Sequence, residues 1–495
     1  MTGVHGLSSV GRRRLLIGGA ATVAVLSTAG LAAGRQLSNP LAPKPLPPAP
    51  EPTSPTTRKV TLTAAERPVR LLGPDRPASP LWTYGEEPLT VIRARRGDTL
   101  EARLENRLPE HTSVHWHGLR IPNAMDGVPY ITQPPVETGR HFDYRFVLPD
   151  TGTFFFHPHC DTVQQVGRGL AGVLVVEGDA PVPYAADVLC LLKDWRLDED
   201  SGQFLDFLTD AGAAKAGTFG TVRSTNFEAA PTVRVPAGRD VRVRILNLDV
   251  TRVSQVGVMD AEAAVIAVDG NAVSPFPLTA WRMGPAMRLD VAVRAPAPGK
   301  AATVVDYFAK DPVPLMTLVG EGEMPAGPGD FDPAPLYAPT LPEPDLRDAE
   351  ALPFTFSSTA VNQTVKTPDG GVIDLSRELC LNTATYWAIN KQTWPERGHE
   401  FPPPPLAELT QGRSYVFELR NVTPHMHPIH LHGHTFKVLE SNKVDRPVHW
   451  ADTVLLTPKE RVKIAFVADN PGRWMFHCHI IEHQDTGMMG YVTVA

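Results

Sequence analysis

The stretch His477-Cys478-His479-Ile480-Ile481-Glu482-His483, followed by Met488, decides how this chain is read. A thiol, an imidazole five residues on and a thioether ten residues on form a soft ligand set. Such a set suits a mononuclear cysteinate copper site with a weak axial methionine. In a β-strand, side chains at i and i+2 share a face and the residue between them points the other way. Cys478 is therefore placed to bind one metal while His477 and His479 bind metal behind it. That is a short covalent path between two sites.

Elsewhere the same spacing recurs. Histidines paired across one residue occur as His115/His117, His157/His159, His430/His432 and His477/His479. One such pair is more often a surface or core feature than a ligand pair. Four pairs, three of them in aromatic or apolar strand-like surroundings, point to metal. With His427 and His483 they make ten candidate ligands among the 17 histidines. Zinc would suit the pairs, but it would leave the Cys-His-Met spacing without a role.

At these residues the chain resembles a multicopper oxidase. The resemblance rests on HWHG (His115 to Gly118), FHPH (Phe156 to His159), HPIHLHGH (His427 to His434) and HCHIIEHQDTGM (His477 to Met488). It covers nearly all of the chain after an N-terminal arm, with weaker echoes at Val268-Asp269-Gly270 and Arg288-Leu289-Asp290. It implies four copper ions. The type 1 copper would take His427, Cys478 and His483 with Met488 as axial ligand, Met489 being the competitor. The type 2 copper would take His115 and His430. One type 3 copper would take His117, His157 and His479, and the other His159, His432 and His477.

What the resemblance implies for function is a laccase-type oxidase. It would take single electrons from phenols, aromatic amines or low-valent metal ions and reduce O2 to water at a trinuclear cluster between the first and last domains. A cuprous oxidase for copper tolerance is the alternative enzyme. Such proteins often carry a Met-rich insert, and the 11 methionines here form no such cluster. A copper-free cupredoxin-fold scaffold of the cell envelope is the alternative from another class, against which the complete ligand set speaks.

Oxygen reduction consumes protons, which carboxylates near a buried cluster usually supply. Asp126 matches an acidic position that the family places near type 2 copper; read alone, it is a plain Asp-Gly turn. Relatives often carry Glu directly after the second type 1 histidine, where this chain has Gln484, which cannot deliver a proton as a carboxylic acid does. Slower oxygen reduction is the expectation, with Glu482 and Asp485 as weaker candidates for the relay. His425 and His434 read as neighbours of the site rather than ligands, and Asp452 as a loop-holding residue and not a ligand. His111, His141, His399 and His449 carry no argument.

Turn residues are abundant, with 50 Pro and 39 Gly in 495 residues, and β-branched alternating runs dominate. Leu89 to Arg93, Thr99 to Leu104, Val173 to Val176, Val241 to Ile245 and Val462 to Val467 read as strands. A Gly, a charged alternating run and an Asn recur from Gly97 to Asn106, Gly238 to Asn247 and Gly412 to Asn421. Three echoes suggest three copies of one β-sandwich. The predicted fold is all-β: three consecutive cupredoxin-like Greek-key domains over 58–180, 181–342 and 343–495, the middle one a spacer without copper. Asp161 to Leu170 and Asp198 to Phe207 read as short helices or irregular loops.

Before these domains, Arg12-Arg13-Arg14 and an apolar run to about Ala33 form a twin-arginine-type signal over 1–35. A Pro-rich, extended and solvated arm follows over 36–57. Export to the periplasm or beyond is expected, with no stable membrane span afterwards. The first 60 residues hold seven Lys and Arg and one acid, Glu51, so the remainder of a chain of net charge −7 is strongly acidic. An acidic body gives no support to nucleic-acid binding. O2 and a small reductant are the expected partners of a monomer. Cys160, Cys190 and Cys380 allow one disulfide at most, and the sequence does not choose it.

Overall fold

The five strand-like runs all form strands: three alternate buried and more exposed residues along much of their length, whereas the runs at 172–177 and 240–247 are buried on both faces. They appear as Thr90–Arg95, Thr99–Asn106, Gly172–Glu177, Asp240–Asn247 and Arg461–Val467. The computed structural model describes residues 43–178, 182–327, 329–358, 364–366, 372–374, 386–394 and 402–495. The signal segment, the start of the arm, Cys380 and His399 lie outside the described residues. Among the described residues no helix is long and apolar enough to cross a membrane.

The strands form three consecutive pairs of sheets, of four and four, six and five, and six and five strands. Each pair encloses its own apolar cluster. In each pair the opening strand runs parallel to a later one: Thr57–Val69 beside Thr99–Asn106, Asp187–Trp195 beside Asp240–Asn247, and Glu350–Ser358 beside Ser414–Asn421. This is the mixed pairing of a Greek-key cupredoxin sandwich, and the fold is all-β as expected.

The recurring Gly…Asn segment shows why three copies were visible in the sequence. Asn106, Asn247 and Asn421 each end a strand and do the same work. Their Oδ1 atoms accept from the backbone N–H two residues on, at 2.9, 3.2 and 2.8 Å. Their Nδ2 groups donate to carbonyls in the following turn and to a second loop, such as Glu110 and Val136 for Asn106. Gly97, Gly238 and Gly412 donate their N–H groups to Leu148, Ala295 and Ala468 in the partner strand's end. One buried amide thus closes each sandwich at the same corner.

One local reading changes and another, left open, is resolved. Residues 43–56 are extended, as proline demands, but they are docked and not solvated throughout. Lys44 N–H donates to Ser274 Oγ at 2.8 Å, and Leu46 packs against the Ile266 and Leu336 cluster of the middle sheets. Proline removes N–H donors that docking would otherwise strand. Of the two helical candidates, Thr162–Gly167 is helical, whereas Asp198 to Phe207 is an irregular loop bridged at Leu197 and Phe204. Short helices form instead at Asp210–Ala213 and Ile481–Asp485.

Replacing Asn421 with Ala strands the Thr423 N–H and the carbonyls of His425 and Thr457. A loss of about 1–3 kcal/mol is expected. Urea denaturation of the metal-free chain measures it, and a change under about 0.5 kcal/mol would show that water replaces the amide.

Candidate metal centre

Strand pairing delivers the histidines two by two. His115 lies opposite His157 in one antiparallel pair, and His430 opposite His477 in another. Opposed residues project to the same face, and i+2 alternation adds His117 and His432. His159 and His479 follow just past their strands. All eight are buried. The two sets meet face to face: His115 stacks on His432 with centroids 3.8 Å apart, and His117 on His430 at 3.7 Å. His159, His432 and His477 present ring nitrogens within 4.8 Å of one another, as do His115, His430 and His432. The His479 ring lies 5.0 Å from His117 and 5.2 Å from His157.

Four of the rings are aimed by the backbone carbonyls they donate to. His115 Nδ1 donates to the Asp126 carbonyl, His430 Nδ1 to that of Asp452, His157 Nδ1 to Pro158 and His477 Nδ1 to Cys478, at 2.8 to 3.0 Å. The opposite nitrogens of His115, His157 and His430, and both nitrogens of His159 and His479, are buried with no partner. Unpaired buried polar atoms are costly. Triads of these rings, such as His115, His117 and His157 or His159, His432 and His477, bring one nitrogen each within 4.8 Å of one another and mark places for cations. Burial first, then the neighbouring imidazoles, hold His117, His159, His430 and His432 well below the ordinary histidine range. The rings are therefore neutral and their lone pairs free for a metal.

Carboxylates stand behind these rings. Asp126, buried, places Oδ2 3.0 Å from His432 Nδ1 and Oδ1 3.2 Å from His115 Nδ1. Asp452 is more than a loop anchor. Its Oδ1 lies 3.0 Å from His117 Nε2, and its carboxylate receives both ends of the Arg288 guanidinium at 2.7 and 2.5 Å. Arg288 also donates to the carbonyls of Thr153 and Asp269, so the middle domain reaches the histidines. Gly118, at φ +84°, is required by this pair. A side chain there would meet Asp452 at 2.5 Å and Arg288 at 2.6 Å. Arg288 and Asp269 were the two framework echoes in the middle of the sequence; their spacing gave no hint of where they point.

On the other face of the strand Gly472–Cys478, Cys478 Sγ lies 3.6 Å from His427 Nδ1 and 3.7 Å from His483 Nδ1. Met488 is fully buried in the same cluster as Cys478, whereas Met489 packs with Val128, Trp394 and Tyr491 in another. Burial pushes the Cys478 thiol far up and His483 down to about 3. Trp387, with no motif to announce it, packs its ring 4.4 Å from His483 and 5.2 Å from His427. Gln484 is buried and donates to the Asp485 carboxylate at 3.2 Å. Glu482 accepts from the backbone of Thr209 and Thr218, and Asp485 is exposed and accepts from Val163 N–H. Of the three carboxylates considered for a relay, Asp126 is hydrogen-bonded to cluster rings. His425 is half-buried with its ring 5.8 Å from Trp387, and His434 is buried and donates to the His432 carbonyl. Cys160 and Cys190 are buried thiols not bonded to each other.

Family profiles described as multicopper oxidase match residues 72–181, 187–313 and 377–495. The multicopper oxidase MmcO of Mycobacterium tuberculosis is 30% identical over 87% of this chain and 86% of its own length. Laccase-1 of Botryotinia fuckeliana is 28% identical over 82% of this chain and 76% of its own. The crystal structure of a multicopper oxidase from Pseudomonas thermotolerans superimposes with a TM-score of 0.79 at 39% identity, covering 89% of this chain and all of that one. The chain belongs to the multicopper oxidase family and is a copper-dependent oxidoreductase that uses O2. The residues fit copper: one thiol, one thioether and ten imidazoles are the donors this metal takes, and the unpartnered nitrogens converge where it would sit.

Arg288→Met leaves Asp452 and Asp269 buried without their cation. It should destabilise the metal-free chain by about 3–5 kcal/mol. Urea denaturation reads this, and adding Asp452→Asn should recover part of the loss; full additivity would deny the coupling.

Acid should unfold the metal-free protein early. The buried imidazoles bind fewer protons folded than unfolded, so their contribution is complete above an unfolded pKa near 6.5 and lost as pH falls below it. The loss continues toward the folded values, about 4 for His477 and about 3 for His483. Each such imidazole costs about 1.4 kcal/mol per pH unit in that window. A urea midpoint unchanged between about pH 7.5 and 5 would contradict this.

Proposed function

We propose that this protein is a laccase-type oxidase that takes single electrons from phenols, aromatic amines or low-valent metal ions and couples four of them to the reduction of O2 to two waters. The observation that carries this reading is the placement of Cys478 between His477 and His479. Its sulfur joins His427 and His483 on one face, while both neighbours join the eight-histidine cluster on the other. Copper, when bound, supplies the one-electron redox chemistry. His427, Cys478, His483 and Met488 would hold the type 1 ion, and His115 and His430 the type 2 ion. His117, His157 and His479 would hold one type 3 ion, and His159, His432 and His477 the other, making four.

The remaining residues position and protect. Asp126 orients His115 and His432 and is placed to hand protons toward the cluster. Arg288 holds the Asp452 carboxylate beside His117 through a bidentate ion pair, fixing that ring's direction. The apolar shell of Trp387, Ile480 and Met488 keeps water from the sulfur. Gln484 supplies no acid beside His483, so proton supply rests on Asp126, and oxygen reduction is slower than in relatives that carry Glu at this position. The basic and apolar N-terminus supports export, and the intact donor set speaks against a copper-free scaffold.

Copper-loaded protein should show strong visible absorption from thiolate-to-copper charge transfer and consume O2 with phenols. Cys478→Ser should abolish the absorption while leaving the fold intact by circular dichroism. A colourless loaded protein would sink the oxidase reading. The panel of phenols, aromatic amines, Cu(I), Mn(II) and Fe(II) in the O2 electrode separates laccase from metallo-oxidase.

A further inference from the structure

The imidazole of His483 turns Nδ1 toward the sulfur and Nε2 outward. The outward N–H is what a docking hydroxyl or amine would grip on this ring. In the structure it donates to the carbonyl of Lys215 at 2.8 Å. Lys215 lies in the segment Thr209 to Thr218 of the middle domain, which lies over the helix Ile481–Asp485. Trp387 Nε1 donates to the carbonyl of Ala213 at 2.7 Å in the same segment. Glu482 accepts from both ends, the N–H of Thr209 and that of Thr218. The hydroxyls of Thr209 and Thr218 meet at 2.8 Å and close the neck of the loop.

The segment is one residue thick. Ala213 faces inward at 1% exposure, while Ala211, Ala214 and Lys215 face solvent. Its sequence, Asp210-Ala-Gly-Ala-Ala-Lys-Ala-Gly217, offers almost no side chain to bury. Gly217, at φ +97°, lets the backbone descend on Thr251 and Ile480, where a side chain would meet Thr251 at 2.6 Å. Hydrogen bonds, rather than apolar area, hold the loop down, so lifting it breaks few apolar contacts. Just outside the neck, Leu208 and Phe219 expose 48% and 43% of their surface, an apolar landing for an aromatic ring.

We propose that Thr209 to Thr218 is a cap on the docking position of His483, and that a phenol or aromatic amine reaches this ring only when the cap lifts. The Lys215 carbonyl takes the position of the substrate heteroatom, so closure and docking exclude each other. The proposal rests on reading His483 as a type 1 ligand. A ligand that binds only the open state has its apparent affinity reduced by the open fraction. The cap therefore acts on KM and leaves kcat alone when opening is faster than turnover. A reductant that gives its electron from outside, without gripping the imidazole, escapes the penalty.

Two variants of the full chain test this: Thr209→Ala/Thr218→Ala, which unties the neck but keeps Lys215, and replacement of residues 211–216 by two glycines. Amide hydrogen exchange on the metal-free proteins should show the peptide spanning 209–218 protected in the wild type. In the untied variant it should exchange about tenfold faster or more while the strands are unchanged. With copper bound, KM for 2,6-dimethoxyphenol should fall at least about threefold in both variants, kcat and the rate with hexacyanoferrate(II) staying within about twofold. A phenol KM unchanged or raised in the shortened variant overturns the cap, as do unprotected wild-type amides. Visible absorption of the loaded wild type keeps the two readings apart. Its absence overturns the type 1 assignment, whereas its presence with an unmoved KM overturns the cap alone.

Discussion

Eight buried imidazoles packed together, six of them with ring nitrogens that meet no hydrogen-bond partner, set the condition the rest of this structure has to meet. Left to themselves such rings would rotate to find acceptors or take up protons and repel one another. The fold prevents both. Backbone carbonyls of Asp126, Pro158, Asp452 and Cys478 each take one N–H. Two of these acceptors, Pro158 and Cys478, stand between paired histidines, and the other two come from separate turns. Asp126, from the first domain, meets His432, 306 positions later, at 3.0 Å. The ends of the chain are held together by what the histidines require.

The parts governed by local spacing were legible in the sequence. Strand alternation separates Cys478 from His477 and His479 without reference to anything distant, and it holds in the structure. The three sandwiches were legible through Asn106, Asn247 and Asn421, because each repeats one corner with the same amide. What escaped were contacts between elements far apart in sequence. Asp452 read as a loop anchor because Trp-Ala-Asp-Thr carries no sign of the guanidinium that meets it from 164 positions away. Trp387 had no motif at all. The arm read as solvated because proline content reports extension, and says nothing of the surface an extended chain lies on.

The middle domain changes most in meaning. It contributes no histidine, and a spacer was a fair description from composition. Yet it supplies the cation that neutralises Asp452 beside the cluster, and the loop that covers His483. Both contributions come through residues whose types are ordinary in any sandwich. Arg288 sits fully buried, a burial tolerable only because Asp452 and Asp269 surround it.

The two faces of Cys478 are built to different specifications. Behind it, every ring aimed by an acceptor is pinned through charge, burial and paired strands, and nothing there has room to move. In front, His483 is covered by alanines and glycines tied down at a few backbone atoms. The difference follows from what each side exchanges. On the proposed copper assignment, the cluster side has to keep its geometry while passing only electrons, protons and O2, whereas the front has to release one reductant and admit the next. Rigidity bought with buried ion pairs would be an obstacle there. A loop of small residues, anchored on the neighbour of His483, leaves that ring fixed while its cover moves.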